Sequence, residues 1–444
     1  MAPFRCDSWL SAAGLALGLA SCVACGNGNE VSREPEAAAG AGGARGECAA
    51  VEAGAPSGSD DLCGLLAAAC TETSGPAPSI SPLSELVPSS ALPTEVETQF
   101  SHNNLDGVWH QGRLYFAFRV APAHFAGTDV VLYVISTHDH VDWRLETSIA
   151  LGRDVREPRF LSLAGRLHLF FAVLGTEPLA FEPLGTRVTT LADDCSWSEP
   201  EQVLPRGFIL WRARPLPEGG RALVSGYVGG EDIYSGSGEP LDVYLLETQD
   251  ARHFEPAAGA DGVVLHGGSS ETDFAWLADG DLLAVARNEA GDEQGFGSKI
   301  CRAAADDLAD WQCASDLKKY DSPLLFRHGA EAYLLARRNL TDSGAFDLQQ
   351  SELSLVEQQQ TYGLDYWGRP KRCALWRVDP DELTVEHVLD LPSAGDTCYP
   401  ALVQLEPTRY LVYNYSSPLD QPDLAWYEGQ QTPTSIHGLV LELP

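Results

Sequence analysis

SETDFAWLADGDLLAVARNE, residues 270–289, reads as a polar opening, a short apolar strand, a Gly-centred turn and a second apolar strand. Each apolar run is short and bounded by turn residues, so strands joined by a hairpin fit it better than helix. The same pattern recurs in NNLDGVWHQGRLYFAFR (103–119), VREPRFLSLAGRLHLFFAVLG (155–175) and LWRARPLPEGGRALVSGYVGG (210–230). It returns in YDSPLLFRHGAEAYLLARRN (320–339) and CYPALVQLEPTRYLVYNYSS (398–417). Aligned markers Gly107, Pro158, Pro215, Phe274, Pro323 and Pro400 lie 51, 57, 59, 49 and 77 residues apart. Strand-rich repeats of roughly 40–60 residues are the signature of a β-propeller with four strands per blade. Six copies predict an all-β, six-bladed propeller over residues 94–444, although the single repeats leave five or seven blades open.

Outward from the repeats, the chain has 444 residues and a formal net charge of −34. An acidic surface of that size repels phosphate backbones and argues against nucleic acid as a partner. Near the N-terminus Arg5 precedes an apolar, small-residue run from Trp9 to Ser21, too short to span a bilayer. Leu19-Ala20-Ser21-Cys22 resembles the lipobox of bacterial lipoproteins. That resemblance implies a signal peptide over residues 1–21 and lipidation of Cys22. It also implies export, with the lipid as the only membrane attachment, in the bacterial cell envelope and at the outer membrane. Residues 22–93 read as a flexible tether. Residues 26 to about 60 are rich in Gly, Ala, Glu and Ser, a short Cys-containing helix is expected over 61–73, and a Pro/Ser-rich stretch runs to 93.

Export accounts for eleven cysteines, since an oxidising compartment permits disulfides. Cys301 and Cys313 flank a hairpin loop, and Cys373 and Cys398 are close enough in sequence to pair. Cys48, Cys63 and Cys70 can pair among themselves and leave one for Cys195; sequence does not fix the connectivity. His138 and His140 are the only close histidine pair. Beyond Cys22-x-x-Cys25 in the tether there is no zinc-type spacing, nor a P-loop, dinucleotide fingerprint or Gly-x-Ser-x-Gly elbow in a suitable strand–helix context, so neither metal nor cofactor is expected. Oligomeric state is not legible.

A second marker follows the later strands. Thr137-x-Asp139 leads to Trp143, Thr248-x-Asp250 to Phe254, and Asp306-Asp307-Leu308-Ala309-Asp310 to Trp311. Such an Asp bonds neighbouring backbone amides while the aromatic packs between blades, a structural role. These turns, with the repeats, resemble the sialidase superfamily of six-bladed propellers, whose Asp boxes read S-x-D-x-G-x-T-W. Here each lacks the central Gly and the Thr before Trp, and Asp306 to Trp311 looks equally like the S-x-D-L-x-x-W turns of five-bladed glycosidase propellers.

The resemblance, over residues 95–444, assigns roles residue by residue. Glu271 and Arg287, 16 apart, match a segment in which a Glu opens one blade and an Arg closes the next strand. Tyr399 matches the nucleophilic Tyr, and Arg337 or Arg338 a further arginine. A sialic acid carboxylate suits paired arginine hydrogen bonds, and a Glu can take the Tyr proton. The family's first arginine is missing, because Asn103-Asn104-Leu105-Asp106-Gly107 stands at its place. Arg156 or Arg159 would replace it, and Asp129 would be the acid/base aspartate. The implied function is a sialidase-like glycoside hydrolase acting on acidic sugars, with a glycan as ligand. Its alternative is a non-catalytic carbohydrate- or protein-binding propeller. A third reading is a two-carboxylate glycosidase built from Asp106, Glu157, Glu271 and Asp321. Arg212 and Arg214 form a second close arginine pair at a blade opening, as Arg156 and Arg159 do, and predict a basic channel mouth.

Overall fold

The computed structural model describes residues 77–230 and 240–444. The signal peptide, Cys22, the tether up to residue 76 and Cys48, Cys63 and Cys70 lie outside the described residues. Among the described residues no helix is long and apolar enough to cross a membrane.

Six antiparallel sheets follow one another along the chain, one per repeat, and form a six-bladed β-propeller. Blade 1 runs Ser101–His110, Arg113–Ala121, Val131–Thr137 and Arg144–Ile149. Blade 2 runs Asp154–Leu163, Arg166–Leu174, Pro183–Leu191 and Glu201–Leu204. Blades 3, 4 and 5 open on Phe208–Pro215, Ser269–Trp276 and Leu324–His328, and blade 6 on Ala401–Glu406. Inner strands such as Arg113–Ala121 are buried along nearly their whole length, because each blade packs a neighbour on both faces. Outer strands such as Asp307–Asp316 are half-buried at most. This gradient is why the second strands read as continuous apolar runs and the fourth strands hardly read at all.

The ring closes through the N-terminal side. Ser79–Ile80 and Ser84–Val87 pair with Ser435–Glu442, the third strand of blade 6, with Glu85 opposite His437. Pairing the two ends removes the open edges a linear array of blades would leave. The boundary read at residue 94 therefore falls inside the propeller. The Pro/Ser-rich stretch hides two short strands whose partners lie some 350 residues on, a pairing without a local signal.

The interval of 77 between the last two repeats has a simple cause. Residues 340–370 are inserted between the second and third strands of blade 5, Glu331–Asn339 and Lys371–Asp379, and carry the helix Leu355–Trp367. Ser354 and Glu357 cap it reciprocally, each side chain accepting from the other's backbone N–H. Its Tyr362 and Tyr366 pack on Phe296 and Phe346.

Cys301–Cys313 and Cys373–Cys398 are disulfides, and Cys195 is disulfide-bonded as well. The Asp turns sit between third and fourth strands. Asp139 accepts from the N–H groups of Val141 and Asp142, and Asp250 from those of Arg252 and His253. Trp143 is buried in the core and Phe254 packs on Phe170. Blade 5 has a further such turn that the sequence reading passed over, at Asp379, which accepts from Asp381 and Glu382.

Candidate functional site at the channel mouth

The first strands of the blades line the central axis, and the segments that lead into them are irregular. Asn104, Glu157, Ser322 and Cys398 have φ of 45°, 57°, 51° and 87°, in the left-handed region that disfavours residues other than Gly. Register shifts fall at the same level, between Asn103 and Leu105, Arg156 and Arg159, Leu210 and Arg212, and Ser269 and Thr272. Such bulges re-aim side chains, here at the mouth of the channel.

Several opening residues latch one blade to the next. Asn104 Oδ1 accepts from the Glu157 N–H at 3.2 Å, and Glu271 Oε2 from the Ser322 N–H at 2.7 Å. Two residues on, Asp106 Oδ2 accepts from the Phe160 N–H at 2.7 Å and Asp273 Oδ2 from the Leu325 N–H at 2.9 Å. Asp106 and Asp273 also hold the basic residues of blade 3: Arg212 lies 3.7 Å and 3.1 Å from them, and Arg214 is 3.0 Å from Asp273. Asp106, Arg212 and Arg214 border a cavity of about 220 Å³, with Phe160, Leu324 and Leu402 among its walls.

On the blade 4–5 side of the mouth the charges form a closed network. Glu271 Oε1 is 2.8 Å from Arg287 Nη1, and Arg287 Nε also donates to Ser270 Oγ. Asp321, buried to 1% exposure, takes Arg337 at 2.9 Å and the Tyr366 hydroxyl at 2.7 Å, with Lys319 and Arg287 each at 3.7 Å. Although burial opposes it, Lys319, Arg337 and Arg287 hold the Asp321 carboxyl below the usual carboxylate range. Arg337 donates to the Thr397 carbonyl at 2.5 Å and stacks on Trp426. Lys371 is wholly buried over the Tyr366 ring, and burial pushes its ammonium down to about 6.

The blade 2–3–6 side is different. Arg159 is 2% exposed, with its guanidinium over both Trp211 and Tyr399, 4.5 Å and 4.4 Å from their ring centres, in the corner those two rings form by packing edge-to-face 5.6 Å apart. Its Nε donates to the Trp211 carbonyl at 2.5 Å, but its Nη1 has no partner. Of the four arginines on the first strands of blades 2 and 3, Arg159 alone has no carboxylate within ion-pair distance among the described residues. The Tyr399 hydroxyl and Glu157 Oε2 are likewise buried without a hydrogen-bond partner. Burial, then the charge of Glu271, pushes the Glu157 carboxyl up to about 7. Burial holds the Tyr399 phenol well above its usual range, and Glu157 and Glu271 add to that.

The residues singled out from sequence separate accordingly. Tyr399, Glu271, Arg287, Arg337 and Arg159 converge at the mouth. Arg338 faces away and pairs with Asp390 at 2.6 Å, because successive strand residues point to opposite sides. Arg156 pairs with Asp154, which also holds Arg119 at 2.9 Å. Asp129 is exposed on the loop between the second and third strands of blade 1. Two groups were missed. Trp211, next to Arg212, is a fully buried wall of the mouth. His124, on the Asp129 loop, lies 2.6 Å from the buried Asp396, which also accepts from Tyr415 and Trp426. His138 and His140 bond Gly112 and Tyr413, and no metal-binding cluster exists among the described residues.

No protein-family model matches the chain, and no curated protein matches it in sequence. Solved structures match in shape. A protein of unknown function from Dyadobacter fermentans has a TM-score of 0.53 at 18% identity, over 78% of this chain and 96% of that one. The Trypanosoma rangeli sialidase in complex with sialic acid has a TM-score of 0.54 at 13% identity, over 83% of this chain. This chain spans only 59% of that sialidase. The phage phi92 endosialidase has a TM-score of 0.52 at 9% identity, over 79% of this chain and 68% of that one. At such identities the likeness is one of fold: a six-bladed propeller of the kind that sialidases share.

Proposed function

We propose that the channel mouth is the site of a sialidase-like glycoside hydrolase, exported to the cell envelope, that acts on acidic sugars. The observation that carries this reading is Arg159, a buried guanidinium with an unpaired Nη1 and no carboxylate partner, beside the unpartnered Tyr399 hydroxyl. A buried cation without a counter-charge favours an anionic ligand group, and a sugar carboxylate supplies one in planar, bidentate form. Arg159 then takes the part of the arginine missing from blade 1, with Arg287 and Arg337 on the far wall. Tyr399 is the nucleophile, Asp129 the acid for the leaving oxygen, and Glu271 the carboxylate that the sialidase resemblance pairs with Tyr399. Disulfides support an oxidising compartment, and residues 1–21 with Cys22 supply the signal and the lipid anchor.

The second reading, a glycan-binding propeller without catalysis, is favoured by Glu271, whose two oxygens are held by Arg287 and by the Ser322 N–H. Turnover of a fluorogenic sialoside by the purified protein separates the two. The expected result is hydrolysis that Tyr399→Phe reduces by about a thousandfold or more. Binding of sialosides without turnover leaves the second reading standing, and neither binding nor turnover sinks both.

A further inference from the structure

We infer that Glu157, not Glu271, is the carboxylate that takes the proton of Tyr399, with Glu271 as a positioning residue. The inference rests on the hydrolase reading of the mouth and departs from the pairing that reading inherits by resemblance. Both oxygens of Glu271 are already engaged, Oε1 by Arg287 at 2.8 Å and Oε2 by the Ser322 N–H at 2.7 Å. That second bond repeats the Asn104-to-Glu157 latch one half-turn of the propeller away, so Glu271 stands where blade 1 uses an amide to join blades. Glu157 is at the same level in blade 2, but its Oε2 is buried and unpartnered, like the Tyr399 hydroxyl. The left-handed φ of 57° at Glu157 and the register shift beside it turn the residue out of the regular ladder. Arg159, two residues on, stacks against Tyr399 and ties the two sites together. The groups that act on Glu157 are Glu271, Arg156, Arg159 and Arg287, and Glu157 acts more strongly on Tyr399 than Glu271 does. A carboxyl poised near neutrality is suited to accept and return a proton at the same pH.

The step balances as follows. Tyr399 Oη forms a bond to the anomeric carbon as its proton passes to the Glu157 carboxylate, and the glycosidic C–O bond breaks. The leaving oxygen takes a proton from Asp129. Water then attacks the anomeric carbon and gives its proton back to Asp129, while the Tyr399 oxygen leaves and recovers its proton from Glu157.

Two measurements on the whole protein test this. With a fluorogenic sialoside, Glu157→Gln is expected to lower kcat by about a hundredfold or more and to remove the acid limb near pH 7. Glu271→Gln should keep that limb and act mainly on KM. A limb lost with Glu271→Gln and kept with Glu157→Gln overturns the assignment. The other measurement needs no substrate: titration of 13C-labelled glutamate carboxyls by NMR, with the Glu157 signal assigned from Glu157→Gln. Tyr399→Phe should shift the midpoint of Glu157 and leave that of Glu271 unmoved. An unmoved Glu157 midpoint overturns the proton transfer even if sialosides are hydrolysed. A shifted midpoint without turnover keeps the coupling of Glu157 to Tyr399 and instead refutes the hydrolase.

Discussion

Two halves of one channel mouth solve the same problem of buried charge in opposite ways. Around Asp321 the three cations Arg337, Lys319 and Arg287 all have a carboxylate and Tyr366 adds a hydroxyl. Around Arg159 the cation has two aromatic faces and one carbonyl, and three polar atoms of Arg159, Glu157 and Tyr399 find no partner. Asp321 Oδ1 also lacks a hydrogen bond, but Lys319 and Arg287 lie 3.7 Å from it, whereas neither Arg159 nor Glu157 has an ion-pair partner among the described residues. Buried polar groups are nearly always satisfied, so that open set marks a site. The closed half is scaffold: the blade 5 insertion brings Tyr366 and Trp426 stacks on Arg337, completing a network fixed before any ligand arrives. The open half is where a ligand can supply what the chain does not.

The contrast breaks most sharply at Asp321. Asp321→Asn keeps the shape but leaves Arg337, Lys319 and Arg287 facing an uncharged group, and should lose roughly 3–5 kcal/mol of stability in chemical denaturation. The sign with pH follows from a folded-state carboxyl held below its unfolded value. Its stabilisation is complete above the ordinary carboxylate range and disappears as pH falls through the folded value. The variant should therefore lose most near neutrality and approach the parent in acid. A loss under about 1 kcal/mol at pH 7 would show that the network is not closed.

The open half carries the opposite pH dependence. Glu157 titrates near 7 when folded and near the ordinary carboxylate value when unfolded. Its folded form therefore holds the proton more tightly, and stability falls as pH rises from about 4.5 to about 7, by at most about 3 kcal/mol. Glu157→Gln, which cannot ionise, should flatten that slope while costing little at pH 5. Denaturation midpoints for both proteins across that window decide it, and parallel curves would mean that Glu157 is not buried against Glu271.

How much of this was legible depends on whether a feature is local. Each blade announces itself because its first hairpin lies within about twenty residues, as in 270–289. The strands at 79–87 are silent because their partners are at 436–442. The resemblance offered Arg337 or Arg338 without choosing; strand alternation lets only one of them face the channel, and its phase depends on the strand's placement in the sheet. Glu157 was harder still. A bulge between Arg156 and Arg159 shifts the phase within the strand, so counting by twos from Arg159 misplaces its neighbours. That Glu271 is a latch emerges only beside Asn104, an equivalence between different residue types at matching places in two blades.

The smallest expected effect sharpens the comparison furthest. Arg159→Met removes a buried charge that has no carboxylate to orphan, so nothing charged is stranded. Two cation–π contacts are lost, each worth about 0.5–2 kcal/mol, and the Trp211 carbonyl loses its donor. Against this, a methionine of similar reach packs on the same two rings without the desolvation penalty of a guanidinium, an exchange that is often neutral or stabilising. The net change should lie within about 1 kcal/mol, whereas Arg337→Met, which strands Asp321, should cost about 3 kcal/mol or more. Binding of sialosides, followed by calorimetry, should be lost in Arg159→Met even though the protein stays folded. If that variant instead unfolds as readily as Arg337→Met, the cation–aromatic cluster of Arg159, Trp211 and Tyr399 is itself scaffold, and the anion site must be sought at Arg212 and Arg214 beside the channel cavity.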